Sequence, residues 1–229
     1  MTATRRDFPD RQHLADALAQ AVSLNIKDGI AARGAASIAV SGGTTPGLFF
    51  KALGARTDIA WDKVTVTLVD ERWVPETSDR SNARLVKANL LQGPASAAKF
   101  VPLYQGGDTP DAAKASAAQS SVPYPLDAAL LGMGNDGHTA SFFPGGDNLA
   151  AALTGEGPVV AINAPGAGEP RVTLTLKRLL GAGALYLQIE GEEKAQTLRK
   201  AEGEGPIEAM PVRAILREAS TPLTIYWCP

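Results

Sequence analysis

The chain reads as an α/β protein with a largely parallel sheet, and three observations predict it. Short apolar, β-branched runs alternate with helix-like segments along most of the sequence. The connectors between them are short and rich in Gly and Pro, as at Gly106-Gly107, Gly145-Gly146 and Pro165–Pro170. At 229 residues, with 45% hydrophobic and 20% charged content, the chain has enough apolar side chain to fill a core without staples. No connector is long enough to divide it, so a single domain over 1–229 is expected.

The elements follow in order. Leu14, Leu18, Val22, Ile26 and Ile30 recur every four residues, a helical spacing that Gly34 ends. Ala36–Val40 is a short buried strand, and Thr44–Ala55 reads as a helix with Pro46 in its first turn. Val64–Asp70 is the clearest strand, being dense in β-branched residues. Asn82–Leu91 is a helix with Ser81 placed to cap it. Phe100–Tyr104 is a strand and Asp111–Gln119 an Ala-rich helix. Leu126–Leu131, Val159–Ile162, Arg171–Leu176 and Ala184–Ile189 are further strands. Helices over Glu192–Ala201 and Val212–Glu218 precede a last strand, Leu223–Trp227.

Composition excludes several function classes. A net charge of −2 offers no basic field for nucleic acid. Cys228 is the single cysteine, so no intrachain disulfide forms, which suits a reducing compartment. There is no Cys pair and no HExxH, so no metal site is expected. The stretch MTATRRDFPDRQ has no apolar h-region, and no run of about 18 apolar residues occurs. A cytoplasmic protein away from membranes, monomeric or a small homo-oligomer, is expected.

Three stretches carry chemistry. Ser41-Gly42-Gly43-Thr44-Thr45-Pro46 joins a strand to a helix. Its glycines let backbone N–H groups approach an anion, and the helix start adds a positive dipole. It lacks the Gly-Lys-Ser/Thr ending of a P-loop, and an ordinary capped turn would share the pattern. In Val69-Asp70-Glu71-Arg72-Trp73, charges appear abruptly at the C-terminal end of an apolar strand, the edge where open α/β sheets bind ligands. An Arg there can hold a phosphate or an oxyanion, though local ion pairs in a solvated loop would look the same. The third, Leu130–Gly145, holds His138, one of two histidines in the chain; the other, His13, reads as structural or exposed. Gly132, Gly134 and Gly137 match G-x-G-x-x-G, but Pro144 follows too soon for the long helix a dinucleotide needs. The glycines bring backbone donors near a ligand beside Gly134 and Asn135, while Asp136 orients or polarises His138, a base able to exchange protons near neutral pH. A capping Asp and a half-buried structural His are the alternative. Arg171 and Lys194, taken singly, read as surface cations.

Together, SGGTTP (41–46), VDERWVP (69–75), SDRSNARL (78–85), GMGNDGHTASFFPG (132–145), RVTLT (171–175) and EEKA (192–195) resemble the 6-phosphogluconolactonases, within the wider sugar-phosphate deaminase/lactonase superfamily. The resemblance implies a Rossmann-like three-layer fold without a nucleotide. It implies hydrolysis of 6-phospho-D-glucono-1,5-lactone to 6-phosphogluconate in the oxidative pentose phosphate pathway, with no cofactor. It makes His138 the general base, Asp136 its support and Arg72 a neighbour of the substrate. Gly43, Thr44, Arg171 and Lys194 would surround the phosphate, with Gly42, Thr45, Asp70, Gly134 and Asn135 also in the binding site.

Three other readings compete. Glucosamine-6-phosphate deaminases resemble DGHIAFNEPG in the same loop, with an acid just before the Pro; here that position is Phe143, which cannot transfer a proton. A sugar-phosphate sensor domain would accompany a DNA-binding module, for which the chain has no basic N-terminal segment. A serine hydrolase using Ser41 would need G-x-S-x-G, and Ala39 stands at the first Gly.

Overall fold

The computed structural model describes residues 3–229. Met1 and Thr2, which open both the segment read above as lacking an h-region and the expected single domain, lie outside the described residues. Strand β1 (Thr4–Asp7) precedes helix α1 (Arg11–Arg33). Asp10 caps α1 by accepting from the His13 N–H, and Gly34 ends it at φ +79° with its own N–H on the Ile30 carbonyl. Leu14, Leu18, Val22 and Ile26 form the fully buried face that the fourfold spacing marks. Burying each such side chain stabilises the fold by roughly 1.5–3 kcal/mol.

Strand β2 (Ala36–Val40), helix α2 (Gly47–Gly54), strands β3 (Val64–Leu68) and β4 (Asp70–Arg72), and helix α3 (Asn82–Asn89) follow. Then come β5 (Lys99–Val101), α4 (Ala112–Gln119), β6 (Ala128–Leu131), α5 (Leu149–Thr154), β7 (Val159–Ile162) and β8 (Arg171–Leu174). Helix α6 (Leu176–Leu180), strand β9 (Leu185–Glu190), helices α7 (Gly191–Glu202) and α8 (Val212–Glu218), and strand β10 (Leu223–Cys228) complete the chain.

Seven strands pair in the order β1-β10-β9-β6-β2-β3-β5, and every pair is parallel. The chain runs from β2 outward to β3 and β5, then returns to place β6, β9 and β10 on the other side of β2. Strand order therefore reverses between β2 and β6, and ligands of open α/β sheets bind outside the carboxyl ends of the strands at such a point. Ser41 follows β2 and Gly132 follows β6, and a Cβ on Gly132 would lie 3.8 Å from the Ser41 hydroxyl.

A second sheet stands apart, in the order β4-β8-β7, and is antiparallel. This corrects the reading of Val64–Asp70 as one strand. Val69 is the pivot: its N–H still donates to the Val40 carbonyl, while its carbonyl accepts from the Leu174 N–H. The chain leaves the parallel sheet there and carries Asp70–Arg72 into the small one. Other differences are local. Strand β1 escaped notice because its four side chains are exposed and carry no apolar pattern. Helix α2 starts at Gly47 rather than Thr44, because Gly43 takes φ +90° and keeps the segment before Pro46 in a loop. Thr175 ends β8 by accepting the Arg178 N–H as the cap of α6.

Candidate active site

One cavity of about 280 Å³ opens at the reversal point. Gly42–Thr45, Asp70, Arg72, Gly134, His138, Arg171 and Lys194 all line it. Residues from 41 to 194 thus converge on one volume. Asn135 is the exception among the expected binding residues: its amide Nδ2 donates to Glu193 of α7, so it braces the loop against the helix and does not line the cavity. Asp136 also stays off the cavity wall, behind His138.

The glycine loop after β6 holds His138. His138 Nδ1 lies 2.6 Å from Asp136 Oδ1, and the same oxygen accepts the His138 backbone N–H at 3.1 Å. Burial alone would raise the Asp136 carboxyl, but the hydrogen bond and charge of His138 outweigh it and hold the group below its ordinary range. A carboxylate only accepts, so Nδ1 carries a proton, and in the neutral imidazole Nε2 is then the nitrogen with the lone pair. The loop is shaped for this pair. A Cβ on Gly134 would sit 2.1 Å from His138 Nδ1 and 2.5 Å from Asp136 Oδ1, and Gly137 turns the chain at φ +79°. Ala140, which lines the cavity, sits at φ +48°, a left-handed conformation that Ala pays for in strain. The Phe143 ring packs on the imidazole, with centroids 4.2 Å apart.

The small sheet supplies positive charge. Arg72 and Arg171 are directly opposed across β4 and β8. Like charges so placed destabilise a strand pair, which points to an anion between or beside them. Burial lowers the Arg171 pKa; Asp70 opposes this, while Arg72 and Arg80 add to it. Arg171 Nη1 is 3.6 Å from Asp70 Oδ2, and that oxygen accepts from the Ser141 hydroxyl at 2.6 Å. Both arginines keep a buried Nε without a partner. Their other donors hold the frame: Arg72 Nη1 donates to the Arg80 carbonyl and Arg171 Nη2 to the Ala167 carbonyl, each at 2.7 Å. Burial also lowers the Lys194 ammonium, against the pull of Glu193 and Asp136. At α2, no side chain caps the first turn, so its free N–H groups add donors beside the exposed Gly43 and Thr44.

Three residues that matter here were not singled out from the sequence. Glu71 is fully buried and accepts the backbone N–H groups of Arg72, Asn82 and Ala83 at 2.8 Å, along with the Ser81 hydroxyl. Burial pushes its carboxyl up against those hydrogen bonds. It ties the start of α3 to the arginine strand. Strand alternation was the available signal: Asp70 and Arg72 share one face of β4, and Glu71 takes the other. Asn82 and Gln188 line the cavity, and each leaves its side-chain oxygen buried without a partner. Ser41 also lines it, but His138 Nδ1 is engaged by Asp136, and no hydrogen bond joins Ser41 to His138 among the described residues.

The fold and this cavity define a sugar-phosphate enzyme class: the chain belongs to the family described as glucosamine-6-phosphate isomerases/6-phosphogluconolactonase, which it matches over residues 9–227. Several similar proteins within that family carry one name. A 6-phosphogluconolactonase from Rhizobium meliloti (strain 1021) is 52% identical over 233 residues, covering all of both chains. One from Mesorhizobium japonicum is 53% identical, over 97% of this chain and 94% of its own. The crystal structure of a 6-phosphogluconolactonase from Shewanella baltica OS155 superposes with a TM-score of 0.96 at 39% identity, covering 99% of this chain and 98% of that one. Among the described residues no helix is long and apolar enough to cross a membrane.

Proposed function

We infer that the chain hydrolyses 6-phospho-D-glucono-1,5-lactone to 6-phosphogluconate, with His138 as general base. The observation that carries this is the convergence of an Asp136-oriented imidazole and two opposed arginines on one cavity. A δ-lactone carbonyl is already electrophilic, so the site has to activate water and hold the substrate. His138 Nε2 takes a proton from water as its oxygen attacks the lactone carbonyl. The tetrahedral intermediate then expels the ring oxygen, which takes up a proton as the C–O bond breaks. Asp136 keeps the imidazole in the accepting tautomer and stabilises the imidazolium that forms. Arg171, Lys194, Gly43 and Thr44 hold the phosphate, with Gly42 and Thr45 shaping the same loop. Arg72 lies beside the substrate, with Asp70 and Gly134 completing the walls.

One domain over 1–229 carries the activity, because its walls come from both halves of the sequence. The chemistry as written needs no cofactor. A monomer or small homo-oligomer in the cytoplasm suits a cavity lined by one chain and a single buried, unpaired cysteine, Cys228. The test has two arms: hydrolysis of freshly made 6-phosphogluconolactone above its spontaneous rate, and ammonia release from glucosamine 6-phosphate. Activity is expected in the first arm alone. Activity confined to the second overturns the reading and makes the deaminase, despite Phe143, the better one.

A further inference from the structure

Arg80, in the stretch SDRSNARL (78–85), and Glu169 both stand off the cavity wall. The Arg80 guanidinium forks onto the Glu169 carboxylate: Nη2 donates to Oε2 at 2.9 Å, and Nε pairs with Oε1. This pair joins the loop after β4 to the loop before β8. The backbone of each partner leads to one of the two opposed arginines. The Arg80 carbonyl accepts Arg72 Nη1 at 2.7 Å. The Glu169 N–H donates to the Ala167 carbonyl at 3.0 Å, and that same carbonyl accepts Arg171 Nη2 at 2.7 Å. Gly168, at φ +76°, turns the chain between them. We propose that Arg80 and Glu169 are positioning residues for the anion site: their ion pair clasps the two loops whose carbonyls aim the Arg72 and Arg171 guanidinium groups. The proposal rests on the reading of the cavity as a phosphate-holding site.

Contacts run in a ring from Arg72 through Arg80, Glu169 and Ala167 to Arg171, and the pairing of β4 with β8 closes it. Like charges directly opposed on two strands repel, and an arginine side chain has many rotamers in which to turn away. Where such a guanidinium points is set by where its acceptors stand. Both acceptors here are loop carbonyls outside the strands, with no sheet ladder of their own to hold them. The Trp73 N–H, donating to the Pro170 carbonyl at 2.8 Å, ties the two loops where they meet the ribbon. The clasp is the second tie, further along each loop.

The pair suits a geometric role better than a stabilising one. Arg80 is 58% exposed, and ion pairs that open to water add little to stability. Two parallel contacts between a guanidinium and a carboxylate do fix direction. Burial alone would raise the Glu169 carboxyl, but the hydrogen bond and charge of Arg80 outweigh it and hold the group below its ordinary range. Both partners are therefore charged near neutral pH.

The probe is inorganic phosphate, titrated into the full chain and read at the amide NMR signals of Gly43 and Thr44, with lactone kinetics beside it. Arg80→Gln and Glu169→Gln change the net charge in opposite senses. A plain field effect would weaken phosphate binding in the first and strengthen it in the second. The clasp predicts weakening in both, by about two- to fivefold, the size that an exposed pair allows. The double variant is expected to bind no more weakly than either single one, because the clasp can be lost only once. KM for the phosphorylated lactone is expected to rise by the same factor, with kcat and the KM for unphosphorylated glucono-1,5-lactone unchanged. Tighter phosphate binding in Glu169→Gln, unaltered binding in both single variants, additive losses in the double variant, or no phosphate response in the unmodified chain overturns the clasp. Absence of lactone hydrolysis by the unmodified chain, with phosphate binding still weakened alike in both variants, overturns the proposed reaction and leaves the clasp standing.

Discussion

The glycine loop after β6 and the β4–β8 ribbon line the same cavity, yet they are assembled in opposite ways. In the loop every decisive contact is short in sequence: Asp136 to His138, Gly134 beneath both, Phe143 on the imidazole. In the ribbon the decisive contact joins residues about a hundred positions apart, Arg72 opposite Arg171. The loop is built around an imidazole held by a carboxylate, and the ribbon around two opposed arginines. A reaction that needs a base and an anchored anion can therefore lose one without losing the other.

Substitutions ranked by expected effect sharpen that separation. His138→Ala is expected to lower kcat by roughly 10²–10⁴ with little change in KM, because a general base acts only in the transition state. Retained kcat would break the assignment. Gly134→Ala tests the same wall without touching a titratable group. Its methyl would displace the imidazole from Asp136, so steady-state assays are expected to show a kcat loss approaching that of His138→Ala. Arg171→Ala is expected to raise KM for the phosphorylated lactone about 10–100-fold, the worth of one charge-assisted hydrogen-bonding group, with kcat much less affected.

Acid provides a gentler probe. The Asp136 carboxyl is held below its ordinary value of 3.8 when folded. Its ionised form therefore adds stability that is fully present above that value and is lost as the pH falls through the folded one. Denaturant melts of the protein and of Asp136→Asn are expected to differ at neutral pH and to converge in strong acid. A gap that stays constant down to low pH would remove the ionised pair from the description. The smallest effect is expected for Ser41→Ala, with near-normal hydrolysis; loss of activity there would favour a covalent route.

The same contrast explains what the sequence made legible. Asp136, Gly137 and His138 are neighbours, so their chemistry is visible in one line of residues, and the regular spacing of Leu14, Leu18, Val22 and Ile26 reveals α1 for the same reason. The parallel sheet is legible through its β-branched runs. The break at Val69 is not, because its cause is a hydrogen bond from Leu174, far along the chain. Arg171 alone looks like a surface cation, and only its pairing with Arg72 gives it a role. Asn135 misled because a side chain next to two site residues need not share their direction; Glu193 of α7 takes it instead. Glu71 was concealed by its neighbours' charges, although strand alternation separates it from them.

The most direct measurement is a steady-state comparison of His138→Ala and Arg171→Ala on two substrates, 6-phosphogluconolactone and the unphosphorylated glucono-1,5-lactone. His138→Ala is expected to lower kcat on both, and Arg171→Ala to raise KM on the phosphorylated one alone. Equal sensitivity of both lactones to Arg171→Ala, or full kcat in His138→Ala, would contradict the division of labour between the two walls.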